Sequence, residues 1–124
     1  MKRKINDQRG EAIALAALGD ISVARRDEDD ARARLRAALE LARPLGDAQL
    51  ILDILTVTAA FTLQQERKAL TRRVLAYVNA HGGTMEETRQ QATRLLNELG
   101  AGELDKDWSQ ELAEDVAAAV LGEL

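Results

Sequence analysis

Residues 50–63 are apolar on nearly every side, whereas the segments before and after them alternate apolar and polar positions at helical spacing. Two neighbouring helical stripes carry the larger side chains of this run: Ile51, Leu55, Ala59 and Thr62 on one, and Leu50, Ile54, Val57 and Phe61 on the other. No glycine, proline or Asn-Gly pair divides the run into pieces of strand length, which disfavours a buried strand pair. The pattern predicts a central helix with other helices packed on two sides.

The two segments before this run predict a pair of helices. The first is expected to begin near Asn6 or Asp7, either of which can cap a helix, and to end at about Arg26. Its predicted inner face is Ala14, Leu15, Leu18, Ile21 and Ser22. The second is expected over 29–43 and ends because Pro44 cannot continue the hydrogen-bond ladder. Its predicted inner face is Ala31, Leu35, Ala38, Leu39 and Ala42.

Asp47 is expected to cap the central helix, and a fourth helix is predicted to follow over 67–80. The inner face of this fourth helix is predicted to be Leu70, Val74, Leu75 and Val78. His81 and the two glycines after it are expected to close the helix, with a glycine in the left-handed conformation.

Two capping boxes predict a fifth and a sixth helix. Thr84 with Glu87 opens the fifth, which the glycines in 100–102 end, and Asp107 with Gln110 opens the sixth. The inner face of the fifth helix is predicted to be Thr88, Ala92, Leu95, Leu96 and Leu99. The inner face of the sixth is predicted to be Trp108, Leu112, Val116, Ala119 and Val120. Trp108 is expected to fill the core, and a binding hot spot is the alternative.

Composition agrees with an all-α fold in a single domain over residues 1–124, built from helix pairs at about 7–45, 47–82 and 84–122. The chain has 124 residues, of which 46% are hydrophobic and only 2% aromatic, with one proline. Strand-favouring residues are therefore scarce outside the central run. A net charge of −4 disfavours a general nucleic-acid binder. The chain contains no cysteine, and the basic residues 1–4 precede no apolar segment of the signal-peptide kind, so a cytoplasmic protein is expected.

The first two helix pairs repeat one pattern of large and small residues. Leu15, Gly19, Leu35 and Ala38 recur 40 residues later as Leu55, Ala59, Leu75 and Val78. The small residue of each unit, Gly19 or Ala59, is expected where two helices cross closely. Since one pair cannot bury its own apolar face, such units are expected to stack.

These residues resemble the tetratricopeptide family. The resemblance rests on Leu15-x2-Leu18-Gly19, then Asp27-x3-Ala31-x3-Leu35-x2-Ala38-Leu39, followed by Pro44. The 40-residue spacing resembles the variety near the C-terminus of bacterial signal-transduction ATPases and transcriptional regulators similar to the maltose regulon activator. The resemblance covers about 11–99, and the second unit departs from the pattern with Thr71 and Arg67 in place of Ala31 and Asp27. It implies antiparallel helix pairs stacked as a short right-handed superhelix of about six helices.

In tetratricopeptide proteins the first helix of each pair lines a concave surface that holds peptides. By resemblance, the candidate protein-binding residues on the first helix are Ile13, Ala16, Ala17, Asp20, Val23 and Ala24. Those on the central helix are Asp53, Thr56, Val57, Ala60, Leu63 and Gln64. Family members that bind a C-terminal carboxylate use lysine, arginine and asparagine here, so that activity is disfavoured. An apolar groove suits an amphipathic helix or a second copy of the chain.

Candidate chemistry is sparse. His81 is the only histidine and has no cysteine or second imidazole with which to hold a metal. No catalytic residue, cofactor site or metal site is predicted, and the chain is expected not to be an enzyme. The expected partner is a protein or peptide, with no membrane contact, and a homo-oligomer is the alternative. Nucleic acid is a third and weaker hypothesis, since it would use a surface of Arg25, Arg26, Arg32, Arg34, Arg36 and Arg43, which ordinary solvated helix faces also explain.

Overall fold

A computed structural model describes residues 2–100 and 102–124, with side chains described from residue 7 onward. Six helices make up the fold: α1 (Lys2–Ala24), α2 (Glu28–Ala42), α3 (Ala48–Gln64), α4 (Lys68–Ala80), α5 (Glu86–Leu99) and α6 (Ala113–Glu123). A 3-10 turn over Arg43–Leu45 follows α2. The described residues contain no strand, and the predicted all-α fold of six helices is confirmed.

Helix α3 is the centre of the fold, as its apolar run predicts. It contacts each of the other five helices, and Ile51, Leu52, Ile54 and Leu55 are fully buried. Two of its buried hydroxyls are satisfied within the helix, since Thr56 donates to the carbonyl oxygen of Leu52 and Thr58 to that of Ile54, each at 2.8 Å. The predicted cap is also present, because the Asp47 carboxylate accepts the backbone N–H of Leu50 at 3.1 Å.

The 40-residue repeat extends to the backbone of the turns. Arg26 and Glu66 both adopt the left-handed conformation, with φ of 59° and 60°. The residue after each of them donates its N–H back to the preceding helix at 3.0 Å, from Asp27 to Ser22 and from Arg67 to Thr62. These backbone bonds hold the turn, so the loss of the Asp27 side-chain cap at Arg67 leaves its conformation unchanged.

Helix α1 differs from its prediction in both its start and its buried face. It begins at Lys2, ahead of Asn6 and Asp7, because the intervening lysines and arginine favour helix. Leu18 and Ile21 of the predicted inner face are 42% and 47% exposed, and Ala14 is also exposed. The buried residues are Ala12, Gly19, Ser22 and Val23. Helix α1 has two apolar stripes, and α2 and α3 cover only one of them.

The predicted turn and cap between α4 and α5 are wrong. Of the described glycines only Gly46 and Gly100 have positive φ, so neither glycine after His81 is left-handed. The hydroxyl of Thr84 donates to the carbonyl oxygen of Val78 at 2.6 Å, and Met85 precedes α5 without a side-chain cap. Thr84 is buried, so its hydroxyl satisfies the end of α4.

Helix α6 also begins later than predicted, at Ala113. The Asp107 carboxylate accepts the N–H of Ser109 in a tight turn, and Leu112 and Ala119 are exposed. Trp108 is buried as predicted, with Arg73 lying 5.3 Å over its ring. These contacts hold residues 102–112 across α4 in an irregular conformation.

Helices α5 and α6 pack on different neighbours. The extensive contacts of α5 are with α3 and α4, and those of α6 are with α3, α2 and the 3-10 turn. Arg36 fixes the end of α6 by donating to the carbonyl oxygen of Leu121 at 2.8 Å. The predicted third unit, 84–122, is therefore not packed in the manner of the first two pairs.

Candidate protein-binding groove

One side of α3 is left incompletely covered between α1 and α5. Asp53 is exposed there, and Val57, Ala60 and Gln64 follow it at helical spacing as half-buried side chains. Both α1 and α5 contact α3. The surface of α3 between them is called the groove, and two cavities follow each other along it.

The Asp53 cavity occupies about 300 Å³ at the N-terminal half of α3. Asp53 is held by two donors, since Gln49 Nε2 and the hydroxyl of Thr88 lie 2.7 and 2.8 Å from its Oδ1. Met85 stands at its edge and is 60% exposed. The cavity is lined by Asp53, Thr56, Val57, Met85, Glu87, Thr88 and Gln91.

The Leu63 cavity occupies about 460 Å³ at the C-terminal half of α3. Gln64 ties α3 to α1 here, because its Nε2 donates to the carbonyl oxygen of Val23 at 2.7 Å. Apolar side chains of α3 and α5 lie beside charged residues of the turns. The cavity is lined by Val23, Arg26, Ala60, Leu63, Gln64, Glu66, Leu95 and Glu98.

Seven of the twelve residues in the predicted protein-binding set line these two cavities: Val23, Asp53, Thr56, Val57, Ala60, Leu63 and Gln64. Two of the seven differ from the expectation of an accessible contact, since Val23 and Thr56 are only 6% and 1% exposed. The Thr56 hydroxyl is bonded to the carbonyl oxygen of Leu52 at 2.8 Å, so these two residues form the floor of the groove.

Apart from Val23, the α1 members of the set lie outside both cavities. Ile13, Ala17, Asp20 and Ala24 are exposed, and Ala16 is half-buried. They extend the surface beside the groove without enclosing it.

The contribution of α5 was missed by sequence reasoning. Thr88, Gln91, Leu95 and Glu98 recur at helical spacing and form the second wall of the groove. Thr88 and Leu95 are predicted core residues, but both are half-buried at the edge of the groove. The helical spacing of these residues is visible in the sequence. It identifies a wall of the groove only once the position of α5 against α3 is known.

The groove combines an apolar centre with a negative rim. Val57, Ala60, Leu63 and Leu95 supply the apolar surface. The linings hold four carboxylates and one guanidinium: Asp53, Glu66, Glu87, Glu98 and Arg26. Such a surface complements apolar side chains flanked by lysine or arginine.

The polar groups that line the groove are carboxylates, amides, two threonine hydroxyls and the Arg26 guanidinium. Neither lining contains a cysteine, serine or histidine, and no group of three or more His, Cys, Asp or Glu in the described part of the chain is arranged to hold a metal ion. His81 lies at the end of α4, where its Nδ1 accepts the N–H of Gly83 at 2.9 Å.

The arginine surface is largely engaged within the chain. Arg34 binds Asp30 at 2.7 Å and Arg32 binds Glu28 at 3.2 Å. A hydrogen bond from the Ser22 hydroxyl and a second from Arg34 lower the pKa of Asp30, so this carboxylate stays charged beside the arginine. Paired arginines offer less positive charge to a phosphate backbone.

No protein-family model, curated protein or solved structure matches the chain. The relationship to the tetratricopeptide family and the right-handed superhelix that it implies therefore stay predictions. Within the described residues, no helix has both the length and the apolar character needed to cross a membrane.

Proposed function

We propose that the protein is a non-enzymatic scaffold that binds a protein or peptide in the groove between α1 and α5. The observation that supports this function best is the incomplete cover of α3. This helix is buried by five neighbours, yet it keeps Val57, Ala60 and Leu63 half-buried along one side. A ligand bound over these apolar side chains would remove them from water, and this burial favours binding.

The ligand best suited to the groove is an amphipathic helix with basic flanks. From Asp53 to Leu63 the groove extends about 15 Å, the length of nearly three helical turns. A ligand helix would place apolar anchors one turn apart over Val57, Ala60 and Leu63. Lysine or arginine beside those anchors would meet Asp53, Glu87, Glu66 and Glu98 at the rim.

The resemblance to bacterial regulators supports a place for this scaffold in signal transduction. In that role the groove would be the sensor or contact region of a regulatory protein in the cytoplasm. The absence of cysteine accords with a compartment in which disulfides do not form.

Selection from a displayed library of amphipathic helices tests this function. The enriched peptides are expected to carry an apolar stripe with lysine or arginine beside it. Their affinities, measured by calorimetry, should fall at least about tenfold with Val57→Arg and with Leu63→Arg. Leu112→Arg is the matched control, because Leu112 is 62% exposed and lies outside both cavities.

Two outcomes would contradict the proposal. One is a selection that enriches no helix. The other is a set of enriched peptides that bind the groove variants as tightly as the Leu112→Arg control, which would place their binding elsewhere.

A further inference from the structure

A second exposed surface runs along α1, on the side away from α2 and α3. It is called the outer stripe and consists of Gly10, Ala14, Leu18 and Ile21. Leu18 is 42% exposed and Ile21 47% exposed. No charged side chain belongs to the stripe itself, although water surrounds it in the single chain.

The internal repeat shows what kind of contact such a stripe makes. The residues 40 positions later are Leu50, Ile54, Thr58 and Phe61 of α3, and all four are buried. Phe61 packs in a cluster with Val23, Ala31 and Leu35, which belong to the first helix pair. In α3, therefore, this stripe accepts a neighbouring helix pair, whereas in α1 it is exposed.

Gly10 has no explanation within the single chain. A β-carbon added to it would meet nothing within 4 Å, whereas one on Gly19 would lie 3.0 Å from Leu35. A glycine inside a helix costs about 1 kcal/mol relative to alanine. A close contact with another molecule would account for a glycine at this point.

We propose that the outer stripe binds the outer stripe of a second copy of the chain, in an antiparallel arrangement with two-fold symmetry. The stripe is complementary to itself in that direction. Its large residues, Leu18 and Ile21, lie in the C-terminal half, and its small residues, Gly10 and Ala14, lie in the N-terminal half. A crossing centred at the level of residue 16 sets Leu18 opposite Ala14 and Ile21 at the level of Glu11, next to Gly10.

The charged residues at the two ends of the outer stripe also favour the antiparallel arrangement. Asp7 lies in α1 and Arg25 is the first residue after it, and both are exposed. The N–H of Arg25 still donates to the carbonyl oxygen of Ile21 at 3.0 Å, so the backbone keeps its helical course and the 18-residue separation, about five turns, leaves the two residues on one side. The antiparallel crossing puts Asp7 of each copy opposite Arg25 of the other. A parallel crossing would instead set like charges together, which disfavours it.

Head-to-tail stacking lacks a suitable surface at the other end of the chain. The exposed side of α5 is polar, with Gln90, Thr93, Arg94 and Asn97. A second outer stripe supplies the apolar cover for Leu18 and Ile21 that this side of α5 does not.

Sedimentation and light scattering over a range of protein concentrations test the proposal. The full chain is expected to form a dimer. Leu18→Glu and Ile21→Glu are expected to raise its dissociation constant at least about tenfold while leaving the melting temperature in dilute solution unchanged. Leu112→Glu, at a site that is 62% exposed and lies outside the stripe, should leave the dimer intact. A wild-type chain that stays monomeric up to about 1 mM would overturn the proposal, as would an equal effect of Leu112→Glu.

Charge exchange tests the direction of the contact. Asp7→Arg and Arg25→Asp should each weaken the dimer, and the double variant should restore it, because the paired charges are then only reversed. A double variant weaker than both single variants would overturn the antiparallel pairing.

Disulfide formation offers an independent measurement, since the chain has no cysteine of its own. A mixture of Ala14→Cys and Leu18→Cys chains should crosslink faster than either variant alone. Equal rates in all three samples would overturn the proposed register. The groove variants Val57→Arg and Leu63→Arg should leave the dimer unchanged, so failure here is distinguishable from failure of the proposed function.

Discussion

Gly19 of α1 lies directly against Leu35 of α2. A β-carbon on Gly19 would lie 3.0 Å from Leu35 Cδ2 and 3.1 Å from Cγ, and Leu35 is fully buried. The close crossing that the repeat predicts at this position is confirmed. The two helices therefore approach at a distance that only glycine allows without displacing a packed core side chain.

Gly19→Ala is expected to lower the free energy of unfolding by about 1 kcal/mol. Overpacking costs about 1–3 kcal/mol, and the better helix propensity of alanine recovers only about 1 kcal/mol. Gly10→Ala is the control. A β-carbon at this position meets no atom within 4 Å, so the alanine should stabilise α1. Urea denaturation in dilute solution measures both, and equal stabilisation by the two variants would contradict the close crossing.

Leu55→Ala is expected to lower the free energy of unfolding by about 2–5 kcal/mol, because the cavity would open in the middle of α3. Leu55 is fully buried in the core that α3 shares with its neighbours. Leu112→Ala removes the same atoms from a side chain that is 62% exposed and should change stability by no more than about 0.5 kcal/mol. Similar losses from the two variants in denaturant melts would show that α3 is not the centre of the core.

Asp47 is expected to make the free energy of unfolding depend on pH in the acid range. Partial burial raises the pKa of this carboxyl, but hydrogen bonds from Arg9 and from the Leu50 amide outweigh burial, and the net effect lowers the pKa. A pKa lowered in the folded state contributes stability above the unfolded pKa of about 3.9, and that contribution is lost as pH falls through the folded pKa.

Asp47→Asn removes this titration while keeping an oxygen that can cap α3. The difference in stability between wild type and variant, measured by urea denaturation, should shrink as the pH is lowered from 7 to below about 3. A difference that stays constant over this range would mean that the Asp47 charge makes no contribution. Asp47→Ala should cost about 1 kcal/mol at neutral pH through loss of the cap.

Tyr77→Phe is expected to loosen residues 102–112 without disturbing the core. The Tyr77 hydroxyl donates to the carbonyl oxygen of Glu111 at 2.9 Å, and the ring of Tyr77 is buried in α4. Loss of this one bond should cost about 1 kcal/mol. Trp108, the only tryptophan, lies in the same segment and reports on it. Its fluorescence should become more accessible to acrylamide, and unchanged quenching would show that the bond does not hold the segment.

Some features follow from local sequence because no packing arrangement can change them. Residues 50–63 are apolar in all directions, so any compact fold must bury them, and α3 forms over them as predicted. The inner face of α2 is equally well predicted, since Ala31, Leu35, Ala38, Leu39 and Ala42 are its buried residues. The turns at Arg26 and Glu66 also follow the repeat, because backbone hydrogen bonds hold both of them.

Other features depend on which partner each group finds. The hydroxyl of Thr84 could cap α5, but the end of α4 lies closer and takes it. Helix α5 could pair with α6, but the burial of Trp108 beside α4 carries the chain past α5 before α6 begins. The spacing of residues along the sequence predicts neither arrangement, because both depend on distances between segments that are far apart along the chain.

Four features could be predicted from the residues alone, because each reflects local periodicity or side-chain size. They are the helical class, the central position of α3, the crossing at Gly19 and the 40-residue repeat. Tertiary structure alone decided which apolar stripe of α1 is buried, where α6 lies and how α5 completes the groove. A helix with two apolar stripes has no internal reason to bury one rather than the other, so its neighbours make that choice.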